Sequence, residues 1–252
     1  MPCLSNDEKV QKEGIQGTLC GLFQVIVLKA TKDDILPHHD AIQTNLFHVL
    51  KTNATCHEEA FKAISAIVLS LKNDFVIFMP GLHPFLIAGL RNSEAYQVCD
   101  VSVGLVCGIS RDIVSNIQPF CDKIMRTLVD ALQNVTLHWS VKQPVLSCFG
   151  DIALAIGSAY EPYLQISLMM LFQAAQTKAP DDDNELIDYV NTLCEGILEG
   201  YRGIVQGLRE GGRAEFILPH IDAIVGFLEL LESKQRNDYD NKVLSRAVGL
   251  IR

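Results

Sequence analysis

Pro119-Phe-Cys-Asp-Lys-Ile-Met-Arg-Thr-Leu128 decides how this chain folds. A proline can open a helix, because its missing N–H is among the donors that a helix start leaves unbonded anyway. Apolar residues follow it five and nine positions later, at Ile124 and Leu128. The same spacing recurs after Pro37, with Ile42 and Leu46, and after Pro219, with Ile224 and Leu228. Pro80 (then Phe85 and Leu90) and Pro162 (then Leu168 and Leu171) open looser copies. Successive prolines stand 43, 39, 43 and 57 residues apart.

A recurrence of about 40 residues marks a helical solenoid of the HEAT or armadillo type. The fold class read from it is all-α: a HEAT-repeat solenoid, a right-handed superhelix of antiparallel helix hairpins. The periodicity predicts helices over 7–30, 37–51, 56–72, 77–91, 94–111, 117–133, 137–157, 161–177, 184–209, 215–232 and 240–252. Sustained period-2 alternation, the mark of strands, does not occur. Each proline-led helix, A, pairs with a following helix, B, that starts near 56, 94, 137, 184 or 240. Breaks fall at Thr31–Asp34, Lys51–Asn53, Lys72–Asp74, Arg91–Ser93, Ala179–Asp183 and Glu210–Gly212. Thr55 followed by Glu58 fits a capping box. Residues 1–252 therefore read as one array of five to six repeats. An unpaired B helix and linker fill 1–34; repeats follow at 35–74, 75–114, 115–158, 159–212 and 213–252, the last cut short. Neither end carries the polar outer face of a capping repeat. The chain reads as a fragment of a longer solenoid.

Composition narrows the partners. The net charge is −9 and charged residues make up 20%, the opposite of a nucleic-acid binder's basic footprint. An acidic surface suits a basic protein partner. The amino-terminal MPCLSNDEKV is polar and unlike a secretory signal. The apolar tract Phe75–Leu90 is shorter than the roughly 20 residues a bilayer needs and holds two prolines and His83. These features point to a soluble intracellular chain. Eight cysteines include no C-x-x-C pair and read as reduced, buried thiols. The sequons at Asn53–Thr55 and Asn134–Thr136 read as chance matches.

The segment 184–209 carries two stripes. On a helical wheel Leu186, Val190, Leu193, Ile197, Ile204 and Leu208 share the core face. Asp188, Glu195 and Glu199 lie opposite, within about 40° of one another. From Pro180 to Tyr201 there are seven acids, Glu185 among them, and no Lys or Arg. Without i,i+4 bases these acids repel one another. Two readings stand side by side: a solvated helix face, or a docking stripe for a basic helix. The second stripe, Gly196, Gly200, Gly203 and Gly207, costs about 1 kcal/mol of helix propensity per residue against Ala. Close approach of a neighbouring helix backbone is the expected compensation. Trp139, the single tryptophan, falls away from the apolar residues of its own helix. It is either an exposed binding anchor or packed against the adjacent repeat.

Chemistry-bearing constellations are weak. The run His38-His39-Asp40 spreads over a helix at about 100° per residue, and His57-Glu58-Glu59 lacks the H-E-x-x-H spacing. No phosphate loop or nucleophile elbow occurs. No catalytic residue, metal site or cofactor is assigned, and no enzymatic activity is expected.

Specific strings then resemble a known family. Glu94-Ala-Tyr-Gln-Val-Cys99, Val103-Gly-Leu-Val106, Gln118–Asp122, Ser140–Gly157, Leu186–Asn191 and Gly203–Leu208 are similar to importin-β (karyopherin-β1), in the C-terminal half of its HEAT array. The resemblance runs from about Gly14 to the C-terminus. It implies a nuclear import receptor segment, working in cytoplasm and nucleus and at the nuclear pore. It implies that the basic importin-β-binding helix of importin-α, or basic cargo, binds a concave acidic B-helix face that includes Glu185, Asp188, Glu195, Glu199 and Trp139. It also implies Phe-Gly nucleoporins between convex A helices and release by GTP-bound Ran, whose main site falls upstream of this chain. No nucleic acid and no membrane are expected. Trp139 and Cys194 stand where the family is expected to carry Arg. A HEAT scaffold of another pathway is the alternative reading.

Overall fold

The computed structural model describes residues 15–177 and 184–233, and these are helical with no strand among them. Residues 7–14 of the helix predicted over 7–30, the helix predicted at 240–252, and Asp181–Asp183 lie outside the described residues. The chain divides into two compact units between Phe120 and Cys121.

The first unit holds α1 (Ile15–Val27), the single turn α2 (Lys32–Ile35), α3 (His39–Thr52), α4 (His57–Leu71), α5 (Met79–Leu90), α6 (Tyr96–Ile113) and the first residues of α7 (Gln118–Gln133). The B helices α1, α4 and α6 pack in succession, and the A helices α3 and α5 pack side by side. Phe61, Phe75, Leu82, Leu86 and Ile109 form the buried centre. The second unit holds the rest of α7, α8 (Trp139–Ile156), α9 (Glu161–Ala175), α10 (Asn184–Glu210) and α11 (Ile221–Ser233). Here the B helices α8 and α10 form the most extensive pair, and α9 packs on both α10 and α11. Phe149, Ile152, Tyr160, Ile197, Tyr201 and Ile204 are its centre. Proline-led A helices alternating with B helices make this a HEAT-type solenoid.

The prolines sit where their chemistry allows. Pro80 and Pro162 occupy the first turns of α5 and α9, and Pro119 is the second residue of α7. Pro37 and Pro219 fall one step earlier than predicted, inside 3-10 turns that lead into α3 and α11. Of the pattern residues, Ile42, Leu46, Ile124, Leu128 and Ile224 are buried, while Leu228 is half-buried.

Several local readings need correction. The helix predicted to start with a Thr55–Glu58 capping box starts instead at His57. Thr55 donates both its N–H and its hydroxyl to the Asn53 carboxamide oxygen, at 3.2 and 2.7 Å. Asn134 accepts from Thr136 in the same way, at 2.9 and 2.8 Å. The two sequons therefore have a structural reason: both are Asx turns that connect an A helix to its B helix. Thr31–Asp34, read as a break, forms the turn α2, where the Asp34 carboxylate accepts from the Thr31 N–H at 2.9 Å. Ala54–Leu90 is long and apolar enough to cross a membrane by length and composition, but half of its most apolar window is buried in the protein. Lys72, at φ 49°, breaks that run between α4 and the 3-10 turn ahead of α5.

Three B helices end in one backbone state. Lys72 after α4 (φ 49°, ψ −127°), Val114 after α6 (φ 48°, ψ −130°) and Gly157 after α8 (φ 54°, ψ −124°) share a conformation that glycine adopts without penalty. Only the third is glycine. A β-branched residue such as Val114 is strained there, at a typical cost of about 1–3 kcal/mol.

Candidate partner-binding face

The second unit's B pair is built on glycine. A β-carbon placed on Gly196 would lie 2.7 Å from the Gln143 carbonyl oxygen, and one on Gly200 would lie 2.8 Å from that of Leu146. One on Gly203 would lie 2.6 Å from the backbone carbon of Gly150, and Gly207 meets the Ala153 backbone. Gly150 returns the contact, its β-position 2.7 Å from the Glu199 carbonyl oxygen. Both sequences ascend together through these pairs, so α8 and α10 run parallel, backbone against backbone. Their closeness offsets the helix propensity that the glycines forgo. Gly150 and its carbonyl neighbours are the half of this seam that sequence reasoning missed. Gly150 is the single glycine within Trp139–Ile156, so α8 itself gives no stripe to read.

The seam brings the outer edges of the two helices alongside. On α10, Glu185 and Asp188 are exposed and Glu195 and Glu199 are half-buried. Ser147 of α8 donates its hydroxyl to Glu199 Oε2 at 2.8 Å. Asp151, one turn beyond Ser147 on α8, is also half-buried. Sequence reasoning did not single out Ser147 or Asp151, because their neighbourhood depends on the register that the seam sets. The acids thus form one edge, from Glu185 to Glu199, with no basic residue on α10 before Arg202.

Trp139 opens α8 and is 45% exposed. Its indole stacks on His138, with centroids 5.3 Å apart, and meets Tyr189 of α10 edge-on at 5.1 Å. On the α10 wheel Tyr189 lies about 40° from Glu185, one turn earlier, so the aromatic pair adjoins the first acid of the edge. Burial pushes the Tyr189 phenol above its ordinary value, which keeps it neutral.

The A-helix side differs between the units. In the first, Phe47 of α3 and Phe85 of α5 meet at 5.5 Å, and a β-carbon on Gly81 would lie 2.5 Å from the Phe47 ring. That crease is filled by the chain's own phenylalanine. In the second, Tyr163 of α9 bonds Asp122 of α7. Met169 and Phe172 lie about 120° and 180° around the α9 wheel from Tyr163 and are 43% and 48% exposed. Gly226 of α11 has nothing within 4 Å of its β-position.

The described cysteines are buried thiols. Burial raises Cys20 and Cys121 to about 12 and Cys99 to about 11, the reverse of an activated nucleophile. Among the described residues no group of three or more His, Cys, Asp or Glu is placed to hold a metal ion.

A helical-repeat array of proline-led A helices and glycine-seamed B helices, with an acidic edge on α10, defines a HEAT-type solenoid. Comparison with known proteins makes the class specific: the family described as importin subunit beta-1-like, TPR repeats, matches residues 2–252. The chain belongs to that importin-β family. It is 38% identical over 255 residues to importin subunit beta-1 of Arabidopsis thaliana, covering 98% of this chain and 29% of the relative. A crystal structure of importin beta superposes with a TM-score of 0.87 at 32% identity, over 96% of this chain and 29% of that one. A Kap95:Nup1 complex matches at a TM-score of 0.80 and 27% identity, over 96% of this chain and 28% of that one. The chain thus spans less than a third of the length of the relatives it matches.

Proposed function

We propose that this chain acts as a segment of a nuclear import receptor and that the edge Glu185, Asp188, Glu195, Glu199 binds a basic helix. The importin-β-binding helix of importin-α, or a basic cargo segment, is the occupant that fits. The carrying observation is the edge itself: four carboxylates along a helix that supplies no bases among them, on a backbone fixed by the glycine seam. A cationic helix laid along it relieves the mutual repulsion of the acids. Such binding is fast, steered and weakened by salt.

Membership in the importin-β family supports two further parts of this reading. Phe-Gly segments of nucleoporins bind in creases between A helices, and the exposed Met169 and Phe172 of α9 are the residues we assign to one. Burying one Phe contributes about 2–3 kcal/mol, so many such contacts give reversible avidity. GTP-bound Ran governs release, acting through repeats outside this segment. The chain then works in cytoplasm and nucleus and at the nuclear pore, as a carrier rather than an enzyme.

The test is calorimetric titration of the chain with a basic importin-α amino-terminal peptide at low and high salt. Binding that weakens with salt and is lost in Asp188→Lys/Glu195→Lys/Glu199→Lys supports the reading. Binding that the triple variant retains removes the acidic edge as the site.

A further inference from the structure

Trp139 poses a question that the seam does not answer. A large ring keeps nearly half its surface in water, 45%, yet it is held in place on two sides. His138 stacks on it at 5.3 Å and 28°. His138 is itself fixed, since its Nδ1 accepts the Ser140 N–H at 3.3 Å and lies 2.7 Å from the Ser140 hydroxyl oxygen. Tyr189 approaches at 5.1 Å and 69° from the neighbouring helix. These contacts fix the ring without covering it. Glu185 and Asp188, both exposed, stand on the first turns of α10 around Tyr189.

We propose that Trp139 and Tyr189 form a seat for one arginine side chain of a basic segment, with Glu185 and Asp188 as its counter-charges. The proposal rests on the basic-helix reading above and deepens it, naming where one cation of that helix is anchored. A cation is drawn to the negative face of an aromatic ring, most strongly to that of tryptophan. Carboxylates beside the ring add Coulomb attraction. They also oppose the positive amino-terminal ends of α8 and α10, which on their own repel a cation. Arginine fits better than lysine because its planar, weakly hydrated guanidinium stacks on a ring while its N–H fork reaches carboxylates. The ring's fixed position lowers the ordering cost of binding. The glycine seam is the precondition, because it sets α8 and α10 close enough for rings on separate helices to meet.

Trp139 is the chain's only tryptophan, so its emission reports this seat and nothing else. The experiment titrates the full chain with an eight-residue peptide of alternating lysine and arginine. Affinity is read by anisotropy of a label on the peptide, and the seat by tryptophan emission. The same peptide with citrulline for arginine, and a Phe-Gly peptide, are run beside it. The expected result is a saturable emission change tracking the anisotropy, with affinity about three- to tenfold weaker in Trp139→Ala and largely kept in Trp139→Phe. Binding with unchanged emission and unchanged affinity in Trp139→Ala overturns the seat and leaves the acidic edge standing. No binding of the charged peptide at all overturns both. An equal emission change with the citrulline peptide, or one with the Phe-Gly peptide alone, overturns the assignment to a cation.

Discussion

The B pairs α4–α6 and α8–α10 occupy equivalent places in the two units and are built on different principles. Both carry glycines in helices. Gly104 and Gly108 of α6 have nothing within 4 Å of their β-positions, whereas Gly196, Gly200 and Gly203 of α10 meet the α8 backbone within 3 Å. The charges differ as well. On α4, Glu58 and Lys62 pair at 2.5 Å, an i,i+4 bridge that neutralises itself, while α10 offers Glu185 to Glu199 with no base among them. The first pair neutralises one of its acids within α4 and keeps the α6 glycines out of the packing, although burial, and then Glu58 across the pair, raise the Asp100 carboxyl. The second is tight in backbone, and its α10 carries four acids before its first base, the pattern proposed above to dock a cationic partner. Spacing alone does not separate them; the residue facing each glycine does.

The comparison breaks most sharply at Gly203. Gly203→Ala places a β-carbon against the Gly150 backbone, which cannot move aside as a side chain can. Overpacking of this kind costs about 3 kcal/mol, to be read from the urea midpoint of the chain. Stability matching the wild type would show that the seam is slack. Charge comes next. Asp188→Lys with Glu199→Lys should weaken a basic peptide at least tenfold, about 1.4 kcal/mol. Glu58→Lys with Asp100→Lys in the first unit should leave its affinity within twofold. Equal losses from both pairs would mean that net charge, not the edge, draws the peptide.

Smaller effects sharpen the contrast. Val114→Gly should stabilise by about 1 kcal/mol, because relief of the strained φ exceeds the entropy that glycine adds. Lys72→Gly should act in the same direction, and a lower midpoint for both would argue against strain at these junctions. Gly104→Ala, open on all sides, should gain about 0.5–1 kcal/mol from helix propensity, opposite in sign to Gly203→Ala. Alkali should act through the buried thiols. Cys20, Cys99 and Cys121 keep their protons in the folded chain to about pH 11–12, whereas unfolded thiols release them near 9. Above pH 9 the unfolded state therefore holds fewer protons, and stability falls as pH rises. A urea midpoint that is level between about pH 8 and pH 10 would contradict this.

Much of the architecture was legible because it is periodic. Proline spacing located the A helices, and turn residues located most breaks to within a few positions. What escaped was local competition and pairing. The Thr55 hydroxyl is taken up by the Asn53 carboxamide in an Asx turn, so it does not cap the helix. Pro37 and Pro219 lie inside 3-10 turns ahead of the α-helix proper. The acidic and glycine stripes could be drawn on a wheel of α10 alone. The register against α8 could not, and with it Ser147 beside Glu199, Gly150 beneath Gly203 and Tyr189 against Trp139 stayed hidden. Those contacts arise between elements about 50 residues apart, where no wheel reaches.

Zero-length crosslinking of a lysine-rich basic peptide to the chain, mapped by mass spectrometry, locates the bound peptide, since only carboxylates that touch a bound lysine react. The account predicts crosslinks at Glu185, Asp188, Glu195 and Glu199 that fade as salt rises. Crosslinks confined to Glu58 and Asp100, with none on α10, would contradict it.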